Sequence, residues 1–168
     1  MYAGAGQSLD HMGKRDYNKK ENPPYELGER AMDRINIAKM MVPKVFTAVL
    51  HRNNSVRKGL EVLTRYGYTA IPVLDKEERY IGSVTEGDFL RHMLSVGSAD
   101  LRDFERSRIN EIMREDFCPP ITIDATAEEV VAAIKNQNFL PIVDGRGVFC
   151  GLLTRRSVIA FLTEEKEL

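Results

Sequence analysis

Gly67-Tyr68-Thr69-Ala70-Ile71-Pro72-Val73-Leu74-Asp75, followed after a polar turn by Gly82-Ser83-Val84-Thr85, is the stretch that decides the fold. Ala70 to Leu74 is apolar at consecutive positions, the pattern of a short strand covered on both faces. Asp75 to Arg79 is polar and reads as a turn, and Tyr80 to Thr85 reads as a second strand that pairs back as a hairpin. The same pattern recurs later in the chain. Leu140-Pro141-Ile142-Val143-Asp144 repeats Ile71 to Asp75, and Gly151-Leu152-Leu153-Thr154 repeats Gly82 to Thr85.

Working outward, two further blocks match in the same order. Ile37-Ala38-Lys39-Met40-Met41 corresponds to Ile109-Asn110-Glu111-Ile112-Met113, and Asn53-Asn54-Ser55-Val56 corresponds to Asp124-Ala125-Thr126-Ala127. The offset shortens where Arg65 to Ala70 is longer than its counterpart Asn136 to Phe139. Ordered blocks of this kind mark an internal repeat. Each half reads strand, helix, strand, strand, helix. In the first half Val45 to Leu50 has the length and composition of a strand, and Ser55 is placed to cap a helix with Val56, Leu60 and Leu63 inward. Glu86 to Leu94 reads as a helix with Phe89, Leu90 and Met93 inward. In the second half Thr126 caps a helix with Val130, Val131 and Ile134 inward, a hairpin turns at Asp144-Gly145-Arg146-Gly147, and Arg155 to Leu162 closes the unit. Ile37 to Met41 and Ile109 to Arg114 read as short lead-in helices.

The organisation expected is a flexible arm over 1–24, a first repeat with its lead-in helix over 25–94, a charged, partly helical linker over 95–108, a second repeat over 109–164 and a tail over 165–168. One such half buries too little to stand alone. The fold class is therefore α/β (α+β): two β-α-β-β-α units packed about a pseudo-two-fold axis as one disc. Such packing leaves two equivalent clefts between the halves, natural ligand sites.

Composition narrows the function. Lys and Arg total 24 against 25 Asp and Glu, which gives no global field for nucleic acid. No apolar run reaches the ~18 residues of a membrane helix. Two cysteines, Cys118 and Cys150, lack the spacing of a disulfide framework or zinc site. A cytoplasmic protein that contacts neither nucleic acid nor membrane is expected. His51 and His92 stand alone and read as surface or edge residues, Asp75 and Asp144 read as turn formers, and no nucleophile–base arrangement emerges, so no enzyme, catalytic residue or metal site is expected.

The blocks Gly67 to Asp75, Gly82 to Asp88, Phe139 to Asp144 and Gly151 to Ser157 resemble the signature of CBS repeats, over residues 35–164. The resemblance implies a sensor of AMP, ATP, S-adenosylmethionine or a cyclic dinucleotide. Leu63-Thr64 ahead of Gly67 to Asp75, with Phe149 ahead of Gly151 and with Thr154-Arg155-Arg156, is similar more narrowly to the stand-alone cyclic di-AMP-binding CBS proteins of Gram-positive bacteria, which dock onto larger enzymes. By that resemblance the first cleft takes Val45, Phe46 and Thr47 from the first strand, Tyr68, Thr69, Ala70 and Ile71 from the start of the next, and Thr154, Arg155 and Arg156 from the opening of the last helix. The backbone of Tyr68 to Ala70 would pair with an adenine edge while Tyr68 or Ile71 covers the ring; an ordinary loop with a packed tyrosine is the alternative.

Two arginines at a helix N-terminus, without an acidic neighbour in sequence, read as waiting for a phosphate, since the helix dipole otherwise disfavours them. The alternative is solvated surface charge. The second cleft is expected to use Thr85, Asp88, Ile121, Ile123, Asn138 and Phe139, with Asp88 accepting from a ribose diol and Ser157 standing at its counterpart. A helix-opening acid that needs no ligand is the other reading of Asp88. The expected function is a regulatory module for an adenine nucleotide, cyclic di-AMP first and AMP, ADP or ATP second, with a pure interaction scaffold as a further class. A homodimer is expected through Phe89, Val158, Ile159 and Phe161 on the two closing helices, together with a larger effector enzyme.

Overall fold

The computed structural model describes residues 35–97 and 100–163. The N-terminal arm and C-terminal tail expected from the sequence lie outside the described residues. The elements in chain order are α1 (Ile37–Met40), β1 (Val42–Pro43), a 3-10 turn (Lys44–Phe46), β2 (Leu50–His51), α2 (Val56–Tyr66), β3 (Ala70–Leu74), β4 (Tyr80–Thr85), α3 (Glu86–Val96), α4 (Leu101–Arg106), a second 3-10 turn (Ile109–Glu111), β5 (Ile121–Thr122), α5 (Ala127–Asn136), β6 (Phe139–Val143), β7 (Phe149–Thr154) and α6 (Arg155–Thr163).

Each repeat builds its sheet in the same way. A two-residue strand pairs parallel with the hairpin's first strand, Leu50 opposite Val73 and Ile121 opposite Ile142, and the hairpin closes antiparallel in matching registers, Ile71 opposite Val84 and Leu140 opposite Leu153. Both hairpin turns are held by an aspartate. The Asp75 carboxylate accepts from the N–H groups of Glu77 and Arg79, and that of Asp144 from Arg146 and Val148, each at 2.9 Å. The Ser55 hydroxyl accepts from the Lys58 N–H at 3.2 Å and caps α2, while Thr126 and Glu129 form a capping box on α5.

The halves do not merely abut. Strand β1 leaves its own repeat and pairs antiparallel with β7, Val42 opposite Leu152 and Pro43 opposite Gly151, so the sheets have orders β1-β7-β6-β5 and β2-β3-β4. The reverse exchange is a single bridge, where Ser83 and Arg114 trade backbone hydrogen bonds of 3.1 and 2.9 Å. The hairpin turns also meet: Tyr80 donates to the Gly147 carbonyl, Phe149 donates to the Glu78 carbonyl, and the Tyr80 and Phe149 rings stack at 6.4 Å. Two apolar clusters result, one around Leu50, Ile71, Val73, Val84 and Phe89, the other around Val130, Leu140, Ile142, Leu153 and Val158.

Several expectations are corrected. Val45 to Leu50 is not a strand. Pro43 begins a 3-10 turn that carries Val45 and Phe46 into solvent, 83% and 76% exposed, and only Leu50 and His51 reach β3. On α3, Phe89 is buried and Met93 packs on the same core, but Leu90 lies on the opposite face and is exposed. Successive residues on a helix lie about 100° apart, and here that step carries Leu90 past the edge of the core-facing stripe. Phe89 and Val158, expected on the outer surface, are core residues, whereas Ile159 is exposed and Phe161 half-buried. The Ile109 lead-in is a 3-10 turn rather than an α-helix. The segment read as a linker contributes α4, whose Phe104 is buried in the first core against the His92 ring, 6.0 Å away. His92 is half-buried.

Two measurements check this architecture. A Cβ on Gly151 would sit 2.3 Å from the Val42 carbonyl oxygen, so Gly151→Ala should push β1 off β7 and cost about 1–3 kcal/mol of unfolding free energy in urea; a parental midpoint would show that the strand exchange is dispensable. Asp88 accepts from the Thr85 N–H at 2.8 Å and hydroxyl at 2.6 Å and from Arg91, with Arg114 Nε 3.6 Å away. Burial pushes its carboxyl up, but these partners outweigh burial and hold it below the usual carboxylate range. A depressed folded-state value gives stability that is present above the unfolded value of ~3.9 and lost as pH falls through the folded value. Asp88→Asn should therefore cost about 1–2 kcal/mol at pH 7, a difference that shrinks as the pH is lowered below 4 in denaturation series; a difference independent of pH would rule out the charged cap.

Candidate nucleotide-binding clefts

Two recesses open where the repeats meet. The first has a volume of about 300 Å³ and is lined by Val42 and Thr47 from the exchanged segment, Gly67 to Ala70 from the α2–β3 junction, and Asn138, Phe139, Leu152 and Thr154 from the second repeat. The junction has this shape because Gly67 adopts φ 63° and ends α2, its N–H bonded to the Leu63 carbonyl, which throws Tyr68 outward before β3 begins. Tyr66 and Tyr68 then stack at 5.7 Å. The Thr69 carbonyl is already used by the Glu86 N–H at 3.2 Å. The Thr47 hydroxyl donates to the Pro43 carbonyl at 3.1 Å, which ties the 3-10 turn to β1. None of the lining residues is charged.

The structure distributes the expected first-cleft residues unevenly. Thr47, Tyr68, Thr69, Ala70 and Thr154 come together in the recess. Val45 and Phe46 stand outside it in solvent, and Ile71 is fully buried in the first core. Arg155 is not a free cation. Its Nε donates to the carbonyls of Ile134 and Gln137, both at 3.1 Å, and its Nη2 to those of Gln137 and Lys135 at 2.8 and 3.3 Å. Helix α5 ends without a left-handed glycine, its Gln137 cap being extended, and the Arg155 guanidinium satisfies the carbonyls that Gly67 helps to close on α2. Arg155, read from the sequence as waiting for a phosphate, is thus engaged by its own fold. Arg156 is exposed and makes no hydrogen bond or ion pair among the described residues. Thr154 caps α6 by accepting from the Ser157 N–H at 3.1 Å.

The second recess has a volume of about 280 Å³ and is lined by Thr69, Ala70, Thr85, Phe117, Cys118 and Asn136 to Phe139. Of the residues expected in the second cleft, Thr85, Asn138 and Phe139 line this recess. Ile121 and Ile123 do not; they pack against the second core because β5 points them inward. Asp88 is 4% exposed and spent on the capping box of α3, so its carboxylate is not presented to the recess. The segment that replaces Ile121 and Ile123 is Phe117-Cys118, held by the Tyr80 hydroxyl donating to the Cys118 carbonyl at 2.8 Å. Arg114 lies 4.1 Å above the Phe117 ring. Burial raises the Cys118 thiol to about 11, so it stays protonated at neutral pH. Val42, Gly67, Leu152, Phe117, Cys118, Asn136 and Gln137 were missed by sequence reasoning; the register of β1 on β7 and of Arg114 on Ser83 brings the first-named and fourth-named groups in, and the sequence holds no local signal for either pairing. The described residues hold no cluster of His, Cys, Asp or Glu arranged for a metal ion, and none of their helices is long and apolar enough to cross a membrane.

Comparison with known proteins places these clefts in a family. The family model for the CBS domain matches residues 37–95 and again 109–164. The chain is 26% identical over 128 residues to cyclic di-AMP receptor B of Bacillus subtilis, covering 76% of this chain and 86% of that protein. It is similar to the Listeria monocytogenes CbpB protein, solved in complex with c-di-AMP, with a TM-score of 0.69 and 27% identity over 78% of this chain and 98% of that one. A CBS domain-containing protein of Bacillus anthracis shares the fold at a TM-score of 0.72 and 22% identity, over 82% of this chain and 99% of that one. With both halves matched and their sheets interlaced, the chain belongs to the CBS-domain family as a tandem pair.

Proposed function

We propose that the chain is a non-catalytic nucleotide receptor that holds cyclic di-AMP at the junction of its repeats, base first into the first recess, and passes its bound state to a partner protein. The composition of that recess carries the reading. It offers a tyrosine face, small uncharged walls and a few hydroxyl and amide groups, which is what a purine base requires, while the cation stays outside. Phosphates would remain outside it, to be met by the unengaged Arg156 guanidinium in the first turn of α6. The receptor function of the Bacillus subtilis relative and the ligand of the Listeria monocytogenes structure support the choice of nucleotide. AMP, ADP or ATP would enter by the same adenine and is the second reading. The balanced charge suits a cytoplasmic protein whose partner is a larger effector enzyme. The exposed apolar residues Leu90 and Leu94 of α3 and Ile159 of α6 suit a homodimer.

Calorimetry against cyclic di-AMP, AMP, ADP and ATP tests the reading. Cyclic di-AMP should bind most tightly; a preference for a mononucleotide would move the ligand to the second reading, and silence from all of them would leave an interaction scaffold. Arg156→Ala should lower affinity about ten- to hundredfold without moving the thermal midpoint, since no folded partner is lost. Arg155→Ala should instead destabilise the fold by about 1–3 kcal/mol, because partly buried helix-end carbonyls lose their donor. Parental affinity in Arg156→Ala would mean that the phosphates lie elsewhere. Light scattering should give a dimer mass that Leu94→Glu reduces to a monomer; a monomeric parent at tens of micromolar would exclude the proposed interface.

A further inference from the structure

We propose that Glu78, which lines neither recess, is a positioning residue: its carboxylate pins the turn between β1 and β2 to the junction of the hairpins and so fixes one wall of the first recess. The proposal rests on the nucleotide reading above. Val42 and Thr47 form that wall. Val42 is held by its pairing with Leu152, but the pairing of β1 ends at Pro43 and that of β2 begins at Leu50. Residues 44–49 therefore lie outside both sheets. Among the described residues, their only hydrogen bond or ion pair to an element beyond the lead-in segment runs from Lys44 Nζ to Glu78 Oε2. The Thr47 N–H and hydroxyl both bond within the segment, to the carbonyls of Lys44 at 3.0 Å and Pro43 at 3.1 Å, so whatever holds Lys44 also holds Thr47.

A second observation is independent of the ion pair. Glu78 has a left-handed backbone, φ 64°, and is the one non-glycine residue with positive φ among the described residues. Its counterpart in the second repeat is Gly147, φ 81°, which takes that conformation at no steric cost. The two positions are otherwise alike. Each N–H donates to the carbonyl of its turn aspartate, Asp75 at 3.2 Å and Asp144 at 2.9 Å. Each carbonyl accepts from the opposite hairpin, that of Glu78 from Phe149 at 2.9 Å and that of Gly147 from Tyr80 at 3.1 Å. The backbone alone thus asks for glycine, and the first repeat carries a glutamate there at a conformational cost. What the side chain does offsets that cost. Its Oε2 accepts from Lys44, and its Oε1 lies 3.8 Å from His51 Nε2. The Lys44 hydrogen bond outweighs burial and holds the carboxyl below its usual range. Phe149, bonded to the Glu78 carbonyl, opens β7, the strand that carries Leu152 and Thr154 into the same recess. Glu78 therefore refers the unpaired turn to the strand on which the rest of that recess is built.

Calorimetry with cyclic di-AMP and amide exchange of the Thr47 N–H, both on the full chain, test the clamp. Glu78→Gln should weaken the dinucleotide about two- to fivefold, the range of a partly exposed ion pair, and should speed Thr47 exchange. Lys44→Met should do the same, and the double variant should lose no more than either single one. Glu78→Gly removes the carboxylate while relieving the left-handed backbone. It should show the same loss of affinity with a thermal midpoint at or above that of Glu78→Gln, a split that a merely structural role would not give. Parental Thr47 exchange in both Glu78 variants would overturn the clamp, and parental affinity beside faster exchange would overturn its role in the recess. An affinity that followed the midpoint from variant to variant would also overturn it. So would losses that added in the double variant, since Lys44 would then act without Glu78. A parent that binds neither cyclic di-AMP nor AMP would overturn the nucleotide reading instead, and Thr47 exchange would still decide whether Glu78 holds the turn.

Discussion

The rest of the structure depends on a close backbone approach at Gly151. The Val42 carbonyl lies where any side chain at that position would have to stand, and only a glycine lets β1 lie along β7. The same device recurs at Gly82, where a Cβ would meet the Arg114 carbonyl at 2.7 Å. The glycines of the repeated block are thus not turn residues. They are the points at which each repeat admits the lead-in segment of the other. Neither half can complete its sheet edge alone, which is why units too small to be stable separately form one folded body.

The clefts follow from that exchange. Because β1 crosses to the second repeat, Val42 and Thr47 arrive opposite Tyr68 and beside Leu152 and Thr154. Because Arg114 crosses to the first, Phe117 and Cys118 arrive beside Thr85 and the Asn136 to Phe139 segment. Each recess therefore has one wall from a neighbour's lead-in and one from a strand opening. A ligand in either recess touches both repeats, and its binding energy acts on the junction between them rather than on one half.

Much of the fold was legible. The repeated hairpins, the aspartate turns and the helix caps rest on local chemistry, and each appears in the structure with its expected residue: Ser55, Thr126, Asp75 and Asp144. Pairings between distant segments were not legible. Val45 to Leu50 looked like a strand because its composition is right, yet Pro43 starts a turn and the segment before it pairs with the other repeat. Ile121 and Ile123 were expected in the second cleft from the arrangement of CBS repeats; they pack on the second core, and the loop before them supplies Phe117 instead. On α3, Phe89 with Met93 and Leu90 with Leu94 are neighbouring four-residue spacings, and the first pair faces the core while the second is exposed. Phe104 in the charged segment had no such cue.

The pseudo-symmetry is broken most clearly at the two helix junctions, and the break decides where charge can act. In the first repeat Gly67 ends α2 in a left-handed turn, and Asp88 closes α3 with Thr85 while holding Arg91 and Arg114. In the second repeat there is no glycine at the end of α5, so Arg155 is recruited to its carbonyls, and Ser157 caps α6 without charge. The arginine pair that looks equivalent in sequence is therefore split by function. Arg155 is structural because a helix end needs it, and Arg156 is left free because nothing in the described fold does. Neutral Ser157 at the position of Asp88 means that α6 opens without a carboxylate to pair with that guanidinium. The two helix openings thus differ in how their arginines are engaged, Arg91 and Arg114 being paired with Asp88 while Arg156 makes no ion pair among the described residues, although the hairpin registers match.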